Sequence, residues 1–510
     1  QLESLNSLVA LALFAFVFLI GFNKVWETDT WWHLRTGQLI TETKSLPRTD
    51  VFSYTSEGKR WVHDEWLGET YLYGMFNKYG FAGLIAFTAA AGACALYLAF
   101  GVAKARGASI PLAACIVALA AIAARARITP RPDVFSLMFF SIDIYILNRL
   151  FTASDDDARA RKMALYIPLL QLFWVNAHPS GLIGVCLPLL AAVSGAVAFI
   201  LSPKAKALKF TAGPELSSKK MKLLGTVFVL TLLASLVNPY HIHALTAAFE
   251  FKSIGLYSKH IAEWAPLPAR ELLSLNSDAQ TNCFKILLVI SFVSLALNRR
   301  KINLFDMALL VATAYMALTS RRFIAMFAIA AAPVAAVNLS PAAVKLARLI
   351  KMPDEKARTT AAAAAAMLFM FALGWRQTHG DPRFIFGTGF DTRNIPVRAA
   401  DFIEKNKISG PMYNEYGYGG YLIWRLYPRC KVFIDGRTTL HGPRLYAEMI
   451  DFESAPSPDK WKRIEKKYNP VFAVLSIGQR SARDAIIYSG GDWRLVFWDA
   501  RAMVLVKDIS

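Results

Sequence analysis

Long apolar runs recur along most of this chain, and they constrain its fold more than any other feature. They lie at about 5–22, 82–103, 110–124, 132–149, 163–176, 180–201, 223–238, 283–298, 303–319, 323–339 and 361–375. A segment that crosses hydrocarbon must satisfy its backbone groups internally, which makes runs of roughly 20 apolar residues transmembrane helices. The expectation is a polytopic α-helical membrane protein with about 11 transmembrane helices. Composition agrees: 55% hydrophobic and only 18% charged over 510 residues, with mean hydropathy +0.35, is too apolar for an ordinary soluble enzyme. The net charge of +20 does not imply nucleic acid. Its Lys and Arg residues concentrate in short loops near 104–106, 149–162, 204–222, 299–301 and 345–358. All of these fall on one side of the membrane when the first span starts inside, the pattern of residues that orient a membrane protein. The five cysteines (Cys94, Cys115, Cys186, Cys283, Cys430) are scattered, with no spacing of a disulfide framework or a zinc site. The first run has no small-residue cleavage site behind it and reads as a retained helix.

This topology puts three segments on the extracytoplasmic side: 23–81, 239–282 and 376–510. The expected organisation is a membrane domain over 1–375, with 23–81 as its first outer loop, and an extracytoplasmic α/β domain over 376–510. Within the tail, 399–405 and 458–467 have helical patterning. Segments 431–434, 471–475, 494–498 and 503–506 read as strands between Gly and Pro punctuation. In the first loop, 30–43 and 65–79 have helical periodicity with aromatic faces, as helices lying on a membrane surface do.

The residues that can do chemistry crowd the first loop. Asp29 sits seven residues beyond the first run, among Trp26, Trp31, Trp32, His33 and Arg35. Tryptophan favours the membrane boundary, and a carboxylate held there is costly to desolvate, which invites a functional reading. The plain alternative pairs Asp29 with His33 or Arg35 on an interfacial helix. Later in the loop come His63, Asp64 and Glu65. Asp29, Asp64 and Glu65 suit acid–base work without a metal, or a divalent cation such as Mg or Mn. Asp64 as a helix cap is the plain reading there. Several cations lie on the outer side against the general charge rule: Arg125, Arg127 and Arg131, then Arg321 and Arg322, with His178, His241 and His243. Arginine forks of this kind suit a phosphate or pyrophosphate; pairing with lipid headgroups, Asp133 or Glu263 is the alternative. Asp143, deep in the fourth run, reads as a buried hydrogen-bonded acid.

The stretch Asp29-Thr-Trp31-Trp32-His33-Leu-Arg35 resembles the first acidic motif of oligosaccharyltransferase catalytic subunits, an Asp followed by aromatics and Arg. Pro47, Asp50, Phe52-Ser53-Tyr54, His63-Asp64-Glu65-Trp66, Tyr413–Trp424 and Val432-Phe-Ile-Asp435-Gly436-Arg437 resemble a bacterial group in the same superfamily, the GT-C glycosyltransferases. The tail lacks the Trp-Trp-Asp motif that reads protein sequons, so protein N-glycosylation by that route is not implied. The resemblance implies a multi-pass enzyme of the bacterial inner membrane that takes its sugar from a polyprenyl-phosphate donor. The acceptor would be a glycan, lipid or protein outside. It also implies Asp29 as base, with Asp64 or Glu65 as further catalytic or metal-binding acids. Arg125, Arg127, Arg131, Arg321, Arg322, His178 and His241 would hold the donor phosphate, and His33, Arg35 and His63 would support the acids. A transporter or flippase and a non-catalytic envelope scaffold are the competing readings. An inverted repeat of broken helices, which a transporter would need, is not visible in the sequence.

Overall fold

The computed structural model describes residues 2–207, 216–246, 255–274, 276–298, 302–349 and 352–508, with 2 and 202–207 as backbone alone. Lys209, Arg299, Arg300, Lys301 and Lys351, part of the basic-loop pattern, lie outside the described residues. The chain forms two compact units. One is built from Gln1–Asn23, Ile85–Phe249 and Tyr257–Gly387, and the other mainly from Lys24–Leu84 and Thr388–Ser510.

The first unit is helical. Each of the eleven apolar runs forms a helix, but only eight helices among the described residues are long and apolar enough to cross a bilayer. Leu304–Thr319 is a shorter apolar helix, while Tyr166–Ala177 and Ser218–Ala234 have 12 and 17 residues. Ile324–Leu349 forms the centre, packed by Ile110–Ala124, Ala279–Leu297 and Leu304–Thr319. Its alanines, including Ala330, Ala331 and Ala332 at 1% exposure or less, allow close helix approach where apolar burial alone gives no drive in lipid. Glu355–Gly380 is peripheral. This helix runs through the expected domain boundary at 375, and Gln377 near its end is buried and accepts a hydrogen bond from Arg125.

The second unit places the tail around a five-stranded sheet, in the order β2-β1-β3-β5-β4. The strands are β1 (Gly410–Asn414), β2 (Cys430–Lys431), β3 (Phe472–Ser476), β4 (Trp493–Trp498) and β5 (Ala502–Lys507). β1 pairs parallel with β2 and β3, and β5 runs antiparallel between β3 and β4. The expected strands at 471–475, 494–498 and 503–506 are present within one or two residues. The one at 431–434 shrinks to β2. Beyond it, Val432 exchanges backbone hydrogen bonds with the first loop instead, to Phe52 O at 3.1 Å and from Tyr54 N at 3.2 Å. Helices Val397–Lys405 and Pro458–Tyr468 lie where expected, and Gly419–Leu426, Thr438–Ser454 and Arg480–Ile487 are additional.

The first loop shares this unit's core. Helix Thr30–Thr43 packs on Gly419–Leu426. The Trp31 ring meets Tyr421, Phe390 and Phe81 edge-on, at 4.9, 5.1 and 5.9 Å between centroids. Such edge-to-face contacts add to the area that three rings already bury. The second surface helix is the start of the element Trp66–Ala105, interrupted at Gly80, whose φ of 63° lies in the left-handed region.

Candidate active-site clusters

Asp29 stands at the entry to helix Thr30–Thr43, and its carbonyl accepts from His33 N at 3.2 Å. One turn beyond His33, Gly37 lets this helix cross the 66–79 segment closely: a Cβ there would overlap the carbonyl of Glu69. The crossing carries His33 onto Glu69, with Nδ1 2.8 Å from Oε1. The second Glu69 oxygen is hydrogen-bonded to His63 Nε2. All three side chains are 2% exposed or less. Trp61 stacks on His63 at 4.5 Å and the Trp32 ring lies 3.6 Å from that of His33, so aromatic faces hold both imidazoles. Glu65 Oε2 lies 3.8 Å from His33 Nδ1. Burial raises neighbouring Asp64 to about 6, although a backbone hydrogen bond and the His63 imidazole favour its charged form.

His33, Glu65 and Glu69 offer ligand atoms within 4.8 Å of one another. Among the described residues this is the group with metal-site spacing. It shares only Glu65 with the expected set of Asp29, Asp64 and Glu65. One imidazole nitrogen and two carboxylate oxygens suit Mn or Zn better than the all-oxygen shell that Mg prefers. Glu69 does not stand out among the acids of the first loop. The available signal was its position four residues after Glu65, on the same face of a helix with His63 just ahead. Arg35 has other partners, bonding Gln38 Oε1 at 2.7 Å and the Tyr427 carbonyl at 2.9 Å.

The expected set of five arginines separates in the helical unit. Arg125 is 1% exposed and is engaged as a staple. It donates to the carbonyls of Ile20 and Gln377 at 2.9 Å and to Asn23 Oδ1 at 3.0 Å, and it covers the Phe384 ring. Arg321 forms a fork with Glu271. The other three gather around Glu263. Arg127 Nη2 reaches its Oε2 at 2.7 Å and Arg131 Nη1 at 3.2 Å, while Arg322 lies over Trp264 at 4.2 Å and donates its backbone N–H to the Glu263 carbonyl at 3.0 Å. Arg127 also pairs with Asp133 at 3.0 Å. His178 Nε2 is 3.5 Å from Arg322 Nη2, and its Nδ1 bonds Ser180 at 2.8 Å. Burial would raise the Glu263 carboxyl, but Arg127, Arg131 and Arg322 outweigh it and hold the group well below the usual range. His241 lies apart in the Asn238 turn, near the Leu236 carbonyl. Asp143 Oδ1 is buried without a hydrogen-bond partner among the described residues.

No family model matches the chain, and no curated protein sequence matches it. Solved structures do. The oligosaccharyltransferase AglB of Archaeoglobus fulgidus, solved with an inhibitory peptide and a dolichol-phosphate, superposes with a TM-score of 0.63 at 14% identity, covering 94% of this chain and 70% of that one. The same organism's oligosaccharyltransferase with Zn and sulfate gives 0.61 at 14% identity, covering 99% and 73%. ArnT of Cupriavidus metallidurans bound to undecaprenyl phosphate gives 0.52 at 14% identity over 100% and 98%. With its long apolar helices, first-loop helices and small tail sheet, the chain shares the fold of these oligosaccharyltransferase and ArnT structures.

Proposed function

We propose that the protein is an integral membrane glycosyltransferase that moves a sugar from a polyprenyl-phosphate-linked donor to an acceptor hydroxyl on the extracytoplasmic side of a bacterial inner membrane. The observation that carries this reading is the group Arg127, Arg131 and Arg322. They gather around Glu263, on a fold whose solved examples include complexes with dolichol-phosphate and undecaprenyl phosphate. A guanidinium is a planar fork that matches the paired oxygens of a phosphate.

In the proposed reaction Asp29 accepts the proton of the acceptor hydroxyl as its oxygen bonds the anomeric carbon. The bond from that carbon to the phosphate oxygen breaks, and its electron pair leaves with the polyprenyl phosphate. The polyprenyl phosphate departs as a stable anion, so no acid is needed, and Arg127, Arg131 and Arg322 are the group proposed to bind such a phosphate. A single displacement inverts the anomeric centre. A positioned base contributes about 10²–10⁴-fold, and fixed donors on a developing anion much of the remainder. His33, Glu65 and Glu69 are the residues that would hold a divalent cation, which would supply fixed positive charge beside the acids.

The test is transfer from a polyprenyl-phosphate-linked sugar by the purified protein in lipid nanodiscs, with titration of polyprenyl phosphate alongside. Donor-dependent product and saturable binding are expected. Absence of binding would overturn the reading, since binding depends on neither the sugar nor the acceptor.

A further inference from the structure

The tail motif Ile434-Asp435-Gly436-Arg437 does not contribute to either cluster described above, yet it meets Asp29 inside the second unit. A Cβ on Gly436 would overlap Asp29 Oδ1 and stand 2.9 Å from Trp32 Nε1. That indole nitrogen is buried and has no hydrogen-bond partner among the described residues. A Cβ on Gly420, from the other tail motif, would stand 2.6 Å from the Thr28 carbonyl. Two glycines therefore let tail backbone lie directly on the segment 28–32. Neither has a positive φ, so space alone explains them.

The loop that carries Gly436 is rigidly held. Arg437 is 4% exposed and ties three segments together. Its Nε and Nη2 grip Asp435 at 2.8 and 2.7 Å, and its Nη1 reaches Asp50 of the first loop at 2.7 Å. Its guanidinium lies over the rings of Trp61 and Phe52 at 4.6 and 5.0 Å. His441 Nε2 contacts the same Asp435 at 3.1 Å, and Tyr416 is hydrogen-bonded to Thr438 at 2.8 Å. Burial opposes the charge on Asp435, but Arg437 and His441 hold it far below the ordinary carboxylate range. A buried ion network of this kind does little for net stability but fixes geometry.

The geometry points to Gly436 as a positioning residue: the loop clamped by Arg437 is the wall that sets the Asp29 carboxylate, and only a glycine leaves room for it. The catalytic consequence rests on the transferase reading; the contact itself does not. The expected result is that Gly436→Ala lowers transfer at least about 100-fold in kcat with donor KM unchanged, because a displaced base loses its reach while substrate binding survives. Gly417→Ala is the control in the adjoining motif, where a Cβ would meet nothing within 4 Å, and it should behave as wild type.

A double-mutant cycle on thermal stability keeps the contact testable where Gly436→Ala folds poorly. If the added methyl clashes with the Asp29 carboxylate, its destabilisation should be at least halved in an Asp29→Ala background. Equal destabilisation in both backgrounds, or wild-type kcat in Gly436→Ala, would overturn the proposal. Coupling in the cycle from a protein that transfers no sugar would leave the wall standing and remove the transferase reading.

Discussion

The two charged clusters have opposite chemistry, and the contrast indicates what each can do. Around Glu263 the cations are the arginines Arg127, Arg131 and Arg322, which never give up their proton. That cluster offers fixed positive charge at any working pH. Around Glu69 the cation-forming groups are His33 and His63, surrounded by Glu65 and by Asp64, which sits near 6. Imidazole nitrogens and carboxylate oxygens can each pass a proton or ligate a metal ion, so this cluster can trade protons or accept a metal ion. One region is suited to hold an anion through a reaction, the other to manage a proton or a cation.

The largest expected effect bears on the proton-handling side. Asp29→Asn should lower transfer by about 10²–10⁴-fold, the contribution of a positioned base, with a melting transition close to wild type. Initial rates at saturating donor, with a thermal melt of the same sample, make the comparison. Retained rate would move the base to Asp64 or Glu65 and break the division of labour between the clusters.

Next in size is Glu69→Gln. Two buried imidazoles lose the carboxylate that both bond, and removing one partner of a buried charged network leaves the others unsatisfied, at about 2–3 kcal/mol. A denaturant melt should show that loss. The same variant sharpens the metal assignment without an activity assay. Addition of Mn should raise the melting temperature of the wild type by mass action and leave Glu69→Gln unmoved. An unchanged wild-type melting temperature would confine this cluster to proton chemistry.

Legibility of the fold and the site in the sequence followed physical range. The eleven apolar runs are all helices because a 3.6-residue period and backbone satisfaction are local properties. Strands β3, β4 and β5 were readable for the same reason, as alternating apolar segments between turn residues. β1 was not, since Gly410, Pro411 and Asn414 contradict a strand pattern, and its pairing with β3 depends on a segment 60 residues away. In the site, Asp29, His33, His63 and Glu65 announced themselves by residue type at a membrane boundary. Glu69 looked like helix decoration until Gly37 permitted the crossing that brings His33 to it. The arginines show the limit most clearly. Arg125 and Arg127 are two residues apart and chemically identical, yet one bonds backbone carbonyls and the other faces Glu263. Nothing in the local sequence decides between a staple and a binding group.

The anion-holding side yields a more modest expectation. Arg127→Lys and Arg322→Lys should each weaken polyprenyl-phosphate binding about tenfold, roughly 1.4 kcal/mol, because an ammonium is a point charge where a guanidinium is a planar fork. Arg321→Lys, whose partner is Glu271, should bind normally. Isothermal titration in nanodiscs would separate the two outcomes, and equal affinity in all three variants would reduce the Glu263 cluster to a structural network.

The smallest effect comes from a carboxyl outside both clusters, which shows what burial does without catalytic or binding partners. Glu453 is half-buried in the tail. Burial first, and then the Glu415 charge, raises it to about 8, and its Oε1 has no hydrogen-bond partner among the described residues. The unfolded chain ionises such a group near its ordinary value of 4.5. Between that value and about 8 the unfolded state therefore binds fewer protons than the folded one, and stability must fall as pH rises through this window. Glu453→Gln keeps the shape and removes the proton. Its melting temperature should match wild type near pH 5 and exceed it at pH 8, by a few degrees at most. A melting temperature lower than wild type at pH 8 would mean that the ionised carboxylate has a favourable partner, which would make Glu453 resemble Glu263 rather than the neutral baseline.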